Sequence, residues 1–121
     1  KREKLIKDIA GFYERMKKFF GMKITDGNIV ICPLESITQF YQEGKAMHHC
    51  VYSGGYYKRS DCLILSAKDT DGNRLETIEV NLKTMDIVQS RAVCNGVNEY
   101  HDQIVKLVKK NMNLIRQKMI A

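Results

Sequence analysis

Three stretches in the second half of the chain have the residue pattern of β-strands, and turn-forming residues separate them. The first, CLILSAK, is mostly apolar, whereas the second, RLETIEVNL, alternates hydrophobic and polar residues. Alternation with a period of two is typical of β-strands that bury one face. The three stretches are residues 62–68, 74–82 and 86–93. The sequence therefore predicts a β-meander, in which consecutive antiparallel strands are joined by short turns.

The dipeptide Asp71-Gly72 lies between the first two stretches and favours a two-residue turn with positive φ at both positions. Such a turn determines how the two strands pair. On one face it places Leu65 opposite Ile78 and Leu63 opposite Val80, and on the other face Ile64 opposite Glu79 and Ser66 opposite Thr77.

The second turn, at residues 83–86, lacks glycine and admits a loop of two or of three residues. The difference matters because a slip of one residue moves every side chain to the opposite face. A three-residue loop, 83–85, keeps charges out of the apolar face, so we expect it. It pairs Val80 with Val88 and Ile78 with Ser90, and it places Glu79 opposite Gln89 and Thr77 opposite Arg91.

In the first part of the chain, hydrophobic residues recur at steps of three and four, which indicates an amphipathic helix over residues 1–20. Gly21 is suited to end this helix. Residues 29–32 form a short run rich in β-branched side chains, which predicts a strand. We expect it at an edge of the sheet because Pro33 cannot donate a backbone hydrogen bond. The apolar stripe of the helix is Leu5, Ile9, Phe12, Met16, Phe19 and Phe20.

Two further helices are predicted. The second begins near Ser36 and ends at Gly44, with a buried stripe of Ile37, Phe40 and Tyr41. The third is long and has Asn98 as its N-cap. Its side chains that are predicted to face the core are Tyr100, Ile104, Leu107, Val108, Ile115 and Met119. The order of elements predicts an α+β fold: a small antiparallel three- to four-stranded β-meander with N-terminal, middle and long C-terminal helices packed on one face.

The length of 121 residues and the hydrophobic content of 44% fit one domain, residues 1–121. The chain starts at Lys1 rather than at methionine, so we expect it to be part of a longer protein. No apolar run approaches the roughly 20 residues that span a bilayer. We therefore expect a cytoplasmic location and no membrane partner. The cysteines Cys32, Cys50, Cys62 and Cys94 lack the spacing of a secreted scaffold and are expected to be free thiols.

The net charge of +6 comes from the two ends of the chain. Residues 1–23 hold eight Lys or Arg against three Asp or Glu, and residues 98–121 hold five against two. Lys106, Lys109 and Lys110 lie close together on the predicted last helix, which makes nucleic acid a candidate partner. A solvated amphipathic helix has the same pattern, and the chain has no helix-turn-helix, zinc-finger or RNA-binding signature.

The run His48-His49-Cys50 contains residue types that bind zinc. Adjacent side chains point apart on a helix or a strand, so these three cannot close on one ion. The chain also lacks the ligand spacings of known zinc sites, so we expect no metal and no cofactor. An alternative ligand set would be Cys50, Cys62, Cys94 and His101.

Cys50 is also a candidate nucleophile, because a cationic neighbour such as a protonated histidine lowers the pKa of a thiol. The simpler interpretation is that Cys50 packs in the core beside Val51, and residue type favours it.

The polar face of the predicted meander holds a second candidate site. Glu79 can act as a base, and Arg91 can hold a carboxylate or phosphate through its planar fork. Gln89 and Asn95 can fix the polar atoms of a ligand. The structural alternative is that Glu79 and Arg91 form an ordinary cross-strand ion pair, which contributes little to stability.

Several motifs together resemble the PcfJ-like family, over residues 43–95. They are His49-Cys50-Val51, Tyr56-Tyr57, Thr77-Ile78-Glu79-Val80 and Gln89-x-Arg91-x-x-x-Asn95. The resemblance implies a bacterial mobile-element context, such as a conjugative plasmid, and implies no established activity. Family members often carry glycine at the positions of Met85 and Ala92 and proline at that of Gly96, so the turn geometry stays open.

From these observations we predict a polar pocket that binds, or also processes, an anionic or nucleotide-like ligand. The predicted catalytic residues are His49, Glu79 and Arg91, and the predicted ligand-binding residues are Gln89, Asn95 and Tyr56. The alternative is a non-catalytic module that binds nucleic acid or protein through the basic terminal helices, with Lys106, Lys109 and Lys110 as contacts.

Overall fold

Over residues 2–120, which a computed structural model describes, five antiparallel strands form one sheet, and their order in the sheet is their order in the chain. The strands are β1 (Ile24–Thr25), β2 (Ile29–Pro33), β3 (Cys62–Asp69), β4 (Arg74–Asn81) and β5 (Asp86–Arg91). The helices are α1 (Arg2–Met16), α2 (Ile37–Met47), α3 (His101–Lys110) and α4 (Met112–Ile120). The predicted α+β class is confirmed.

The sheet is larger than predicted because of β1, which is too short to show alternation in the sequence. Residues Ile24 and Thr25 pair with Ile31 and Val30 of β2, and β2 pairs with β3 on its other side. The prediction that β2 is an edge strand is therefore wrong. Pro33 is tolerated because it is the last residue of β2 and lies beyond the two residues that pair with β1.

Helices cover both faces of the sheet. Glu76 and Thr77 are adjacent in β4, so their side chains point to opposite faces. The Thr77 hydroxyl donates to Glu43 of α2, whereas the carboxylate of Glu76 bonds to His101 of α3. The prediction that all helices pack on one face is therefore wrong. Residues 75–78 are all buried, as expected for a strand covered on both sides.

The predicted stripe of α1 is buried only in its second half. Phe12 and Met16 are buried, and the Phe12 ring packs edge-on against Phe40 of α2 with 5.3 Å between centroids. Leu5 and Ile9 are exposed, contrary to the prediction. The first half of α1 therefore leaves its apolar side chains about half exposed.

The first hairpin has the predicted pairs. Leu65 pairs with Ile78 and Ile64 with Glu79. The turn differs, because Gly72 alone has positive φ, at 86°, and its N–H donates to the carbonyl of Asp69. A bulge between Ala67 and Lys68 absorbs the difference.

The second hairpin is predicted correctly away from its turn. Glu79 pairs with Gln89, Ile78 with Ser90 and Thr77 with Arg91. Val80 instead pairs with Ile87, and the bulge leaves Val88 54% exposed. The cause is the Asn81 side chain, which accepts hydrogen bonds from the N–H groups of Lys83 and Thr84 and thereby favours a four-residue loop.

The later helices also differ in detail. Ser36 caps α2 as predicted, but α2 continues through Gly44 to Met47. Gly44 favours this path, because an added Cβ would lie 3.1 Å from the carbonyl oxygen of His49, a tight contact. Tyr41 is half exposed.

The predicted long C-terminal helix is divided at Asn111, whose side chain donates to the carbonyl of Leu107 over 2.8 Å. Tyr100 is exposed and stands at the N-cap of α3 in place of Asn98. In the described part of the chain, no helix is both long and apolar enough to cross a membrane.

Candidate functional site

A cavity of about 440 Å³ lies on the face of the sheet that α2 covers. Strands β4 and β5 supply alternate residues to it, because side chains two apart in a strand share a face. The cavity is lined by all six residues predicted as catalytic or ligand-binding: His49, Tyr56, Glu79, Gln89, Arg91 and Asn95. The other lining residues are Cys50, Val51, Ile64 and Thr77.

His49 enters the cavity from the end of α2. The helix ends at His48 in the left-handed conformation, with φ at 51°, and this turn directs His49 back towards the sheet. The Nε2 atom of His49 lies 2.9 Å from Oγ1 of Thr77. Burial lowers the pKa of His49, while a hydrogen bond with its own backbone and the carboxylate of Glu43 act in the opposite direction. The imidazole is therefore neutral at pH 7.

Glu79 has a set of partners that the sequence did not suggest. The Gln89 amide donates to Oε1 over 2.9 Å, and the Cys62 thiol donates to Oε2 over 3.6 Å. The ion-pair partner is Arg59, whose Nη1 lies 3.8 Å from Oε2. Within residues 2–120, no carboxylate oxygen lies within 4.0 Å of the Arg91 guanidinium. The alternative in which Glu79 pairs with Arg91 is therefore wrong.

Cys62 acts as a donor rather than as a nucleophile. Burial, together with the negative charge of Glu79, raises the pKa of the Cys62 thiol to about 12. The thiol therefore stays protonated at neutral pH, which suits its hydrogen bond to the carboxylate.

Tyr56 reaches the cavity from the loop that follows α2. Its hydroxyl lies 3.4 Å from Nε2 of Gln89, and Arg59 stacks on its ring with 3.8 Å between the guanidinium carbon and the ring centroid. Gly54 permits this arrangement, since an added Cβ would lie 2.6 Å from the carbonyl oxygen of Cys50 and 2.8 Å from the Tyr56 ring.

Asn95 lies in a tight loop after β5. Cys94 and Asn95 both adopt positive φ, at 56° and 60°, which is unusual for residues other than glycine. A hydrogen bond from the N–H of Ala92 to the carbonyl of Gly96 closes the loop. Strained backbone of this kind is often found at binding sites.

The family model of PcfJ-like proteins matches residues 1–105. The chain belongs to the PcfJ-like family. The match extends well beyond residues 43–95, on which the resemblance was based, and it includes every residue that lines the cavity. No curated protein and no solved structure matches the chain significantly.

In this PcfJ-like chain, Cys50 is exposed and lines the cavity, so its predicted burial in the core is wrong. Val51 is buried beside it. All four cysteines are free thiols. Across residues 2–120, no group of three or more His, Cys, Asp or Glu side chains is arranged to hold a metal ion. Cys62 and His101 lie on opposite faces of the sheet, so the alternative ligand set is not assembled.

Sequence reasoning missed three residues of the PcfJ-like site. The sequence pattern could have identified Thr77, because it shares the strand face of Glu79. Arg59 lies in an irregular loop, where no pattern identifies it. Glu43 lies on the second helix, outside its predicted buried stripe, yet its side chain is fully buried.

The basic residues of the alternative function lie elsewhere. Lys106, Lys109 and Lys110 are exposed on α3, which covers the face of the sheet opposite the cavity. The structure therefore separates the two candidate sites of this PcfJ-like chain.

Proposed function

We propose that the cavity of this PcfJ-like chain binds a small anionic ligand of nucleotide-like chemistry. Arg91 carries the proposal. Arg91 lines the cavity, and within residues 2–120 no carboxylate oxygen lies within 4.0 Å of its guanidinium. Arginine presents a rigid planar set of N–H donors that matches a phosphate or a carboxylate, so Arg91 is the group to hold the anion.

The rest of the lining suits a ligand with a flat, polar body. Asn95 offers an amide donor and a carbonyl acceptor, and Gln89, whose NH₂ group bonds to Glu79 and Tyr56, offers its carbonyl oxygen. Val51 and Ile64 supply apolar wall, and Tyr56 supplies an aromatic ring. The volume of about 440 Å³ is within the range of about 300–1,000 Å³ that small-molecule sites occupy. These features favour a ligand that combines a heterocycle with an anionic group.

His49 and Glu79 are the groups that would process such a ligand. A neutral imidazole in a partly buried site can accept a proton at neutral pH, which makes His49 the candidate general base. Glu79 is held in place by Gln89 and Arg59 and orients N–H groups of the ligand.

Calorimetric titration with inorganic phosphate and with nucleoside mono- and triphosphates tests the proposal. We expect binding that Arg91→Gln and Arg91→Lys both weaken about tenfold or more, because lysine keeps the charge but loses the planar fork. Lys106→Gln removes the same charge on the opposite face and serves as the matched control. Absence of binding to the whole panel, or parent-like binding by Arg91→Lys, would contradict it.

The family resemblance implies a bacterial mobile-element context, which we propose on that basis alone, and we also propose a cytoplasmic location. Fractionation of cells that express the parent protein tests the location.

The second candidate function is nucleic-acid binding through α3. It is favoured by the exposure of Lys106, Lys109 and Lys110, none of which has an ion-pair partner within residues 2–120. If it is correct, log affinity for duplex DNA falls with log salt at a slope of about 0.9 per neutralised phosphate. Replacing all three lysines by glutamine should reduce that slope, whereas Arg91→Gln should leave it unchanged.

A further inference from the structure

A fully buried carboxylate lies directly behind the cavity. Glu43 of α2 accepts hydrogen bonds from the Ser66 hydroxyl over 3.0 Å and from Nε of Arg74 over 2.8 Å, both at Oε1. The Thr77 hydroxyl donates to the other oxygen, Oε2. With three donors, one of them cationic, both oxygens of Glu43 act as acceptors.

Thr77 links Glu43 to His49 through its hydroxyl group. A threonine hydroxyl has one hydrogen. Because Thr77 gives that hydrogen to Glu43, Oγ1 can only accept from the imidazole, whose Nε2 lies 2.9 Å away. The proton of the neutral ring is then on Nε2. The second ring nitrogen, Nδ1, accepts a long hydrogen bond of 3.4 Å from the N–H of Val51.

We propose that Glu43 and Thr77 are positioning residues that fix the proton of His49 on Nε2 and leave Nδ1 as its basic atom. The inference rests on the proposed function for its purpose, since it names Nδ1 as the atom through which His49 would take a proton from a ligand, once its long hydrogen bond from the Val51 N–H is released. The tautomer of His49 is a property of the protein without ligand, and it is tested in that state.

Other ionisable groups line the same cavity and could also affect His49, so the test must distinguish them from Glu43. Cys50, Tyr56, Glu79 and Arg91 line it, whereas Glu43 alone connects to His49 through a hydroxyl. If substitutions of Glu43 and Thr77 change the position or the exchange of the His49 ring proton, and substitutions of the other groups do not, then Glu43 acts on His49 through Thr77.

The chain offers a matched pair of hydroxyls. Ser66 and Thr77 lie opposite each other in β3 and β4, and both donate to Glu43, but only Thr77 bonds to His49. Thr77→Val removes the hydroxyl with little change of shape, Thr77→Ser restores it, and Ser66→Ala is the control. Labelling the protein with ¹⁵N-histidine and assigning His49 with His49→Gln allows the ring proton to be observed by NMR.

We expect the parent to show the Nε2–H tautomer. Exchange of that proton with water should accelerate about fivefold or more in Thr77→Val, because one hydrogen bond is lost. Thr77→Ser and Ser66→Ala should exchange as the parent does.

Glu43→Gln gives the sharper result. Arg74 donates at the position of Oε1, so it keeps the amide oxygen there and turns the NH₂ group towards Thr77. Thr77 then accepts from Gln and is free to donate to Nε2, which moves the proton of His49 to Nδ1. The expected spectrum is that of the Nδ1–H tautomer.

A parent spectrum of the Nδ1–H form, or Thr77→Val exchanging at the parent rate, would overturn the proposal. So would a folded Glu43→Gln that keeps the Nε2–H form. Should Glu43→Gln fail to fold, the comparison of Thr77→Val with Thr77→Ser decides. No ligand is present in these measurements, so a failed search for the ligand leaves their outcome unaffected, and the reverse also holds.

Discussion

The carboxylate of Glu76 accepts a hydrogen bond of 2.9 Å from the backbone N–H of Asn98, so β4 holds the loop that follows β5. Glu76 is fully buried and also accepts from the Ser90 hydroxyl over 2.6 Å, and it pairs with His101 at the start of α3. That loop contains Asn95, which lines the cavity on the other face of the sheet. The cavity therefore depends on a polar network that lies outside it.

Glu76→Ala is expected to destabilise the fold by about 2–3 kcal/mol, because it leaves the buried Ser90 hydroxyl and the partly buried N–H of Asn98 without their acceptor. Ser90→Ala removes one of those donors and should cost only about 1 kcal/mol. Denaturant unfolding measures both. In Glu76→Ala, the amides of residues 93–98 should also lose protection from hydrogen exchange. If Glu76→Ala is as stable as the parent, the network does not hold the loop.

Val80 and Val88 provide a test of the bulge in the second hairpin. Val80 is fully buried, whereas Val88 is 54% exposed. Val80→Thr buries a hydroxyl without a partner and should cost about 1–3 kcal/mol. Val88→Thr should change stability by less than about 0.5 kcal/mol. Equal losses for the two variants would mean that Val88 faces the core, as the three-residue turn required.

Local patterns were sufficient to place the cavity residues on one face. Alternation assigns Thr77 and Glu79 to one side of β4, and the pairing of Glu79 with Gln89 brings Arg91 to the same side. The turn was harder, because one asparagine side chain at position 81 changed the loop length, and a bulge then restored the register.

The burial of polar residues could not be predicted locally. Ser66 and Thr77 resemble residues of a solvated face, but Glu43, distant in the chain, satisfies their hydroxyls and allows α2 to cover them. Periodicity describes each element alone, and it does not show which polar side chains find partners across the fold. The same reasoning explains why a second layer of helices was missed.

The cysteines should differ strongly in reactivity. Cys50 and Cys94 are exposed, whereas Cys62 is buried. Burial raises the pKa of the Cys62 thiol from 9.0 to about 12, which lowers its thiolate fraction about a thousandfold at neutral pH. Alkylation of the native protein, followed by peptide mass spectrometry, should label Cys50 and Cys94 first and Cys62 last. The denatured protein, in which all four should react alike, is the control, and early labelling of Cys62 would contradict the assignment.

His49 should make the stability of the fold depend on pH. Burial lowers its pKa in the folded protein below the ordinary value of 6.5, so the unfolded chain binds the proton more tightly. The contribution of neutral His49 is therefore fully present above about pH 6.5 and is lost as the pH falls through the folded pKa. Unfolding by denaturant at pH 7 and at pH 5 should show a smaller loss of stability for His49→Gln than for the parent. His48→Gln, which changes the exposed neighbouring histidine, should lose as much stability as the parent does. If His49→Gln and the parent lose stability equally over this range, His49 is not held neutral by burial, and its assignment as the base of the cavity loses its physical support.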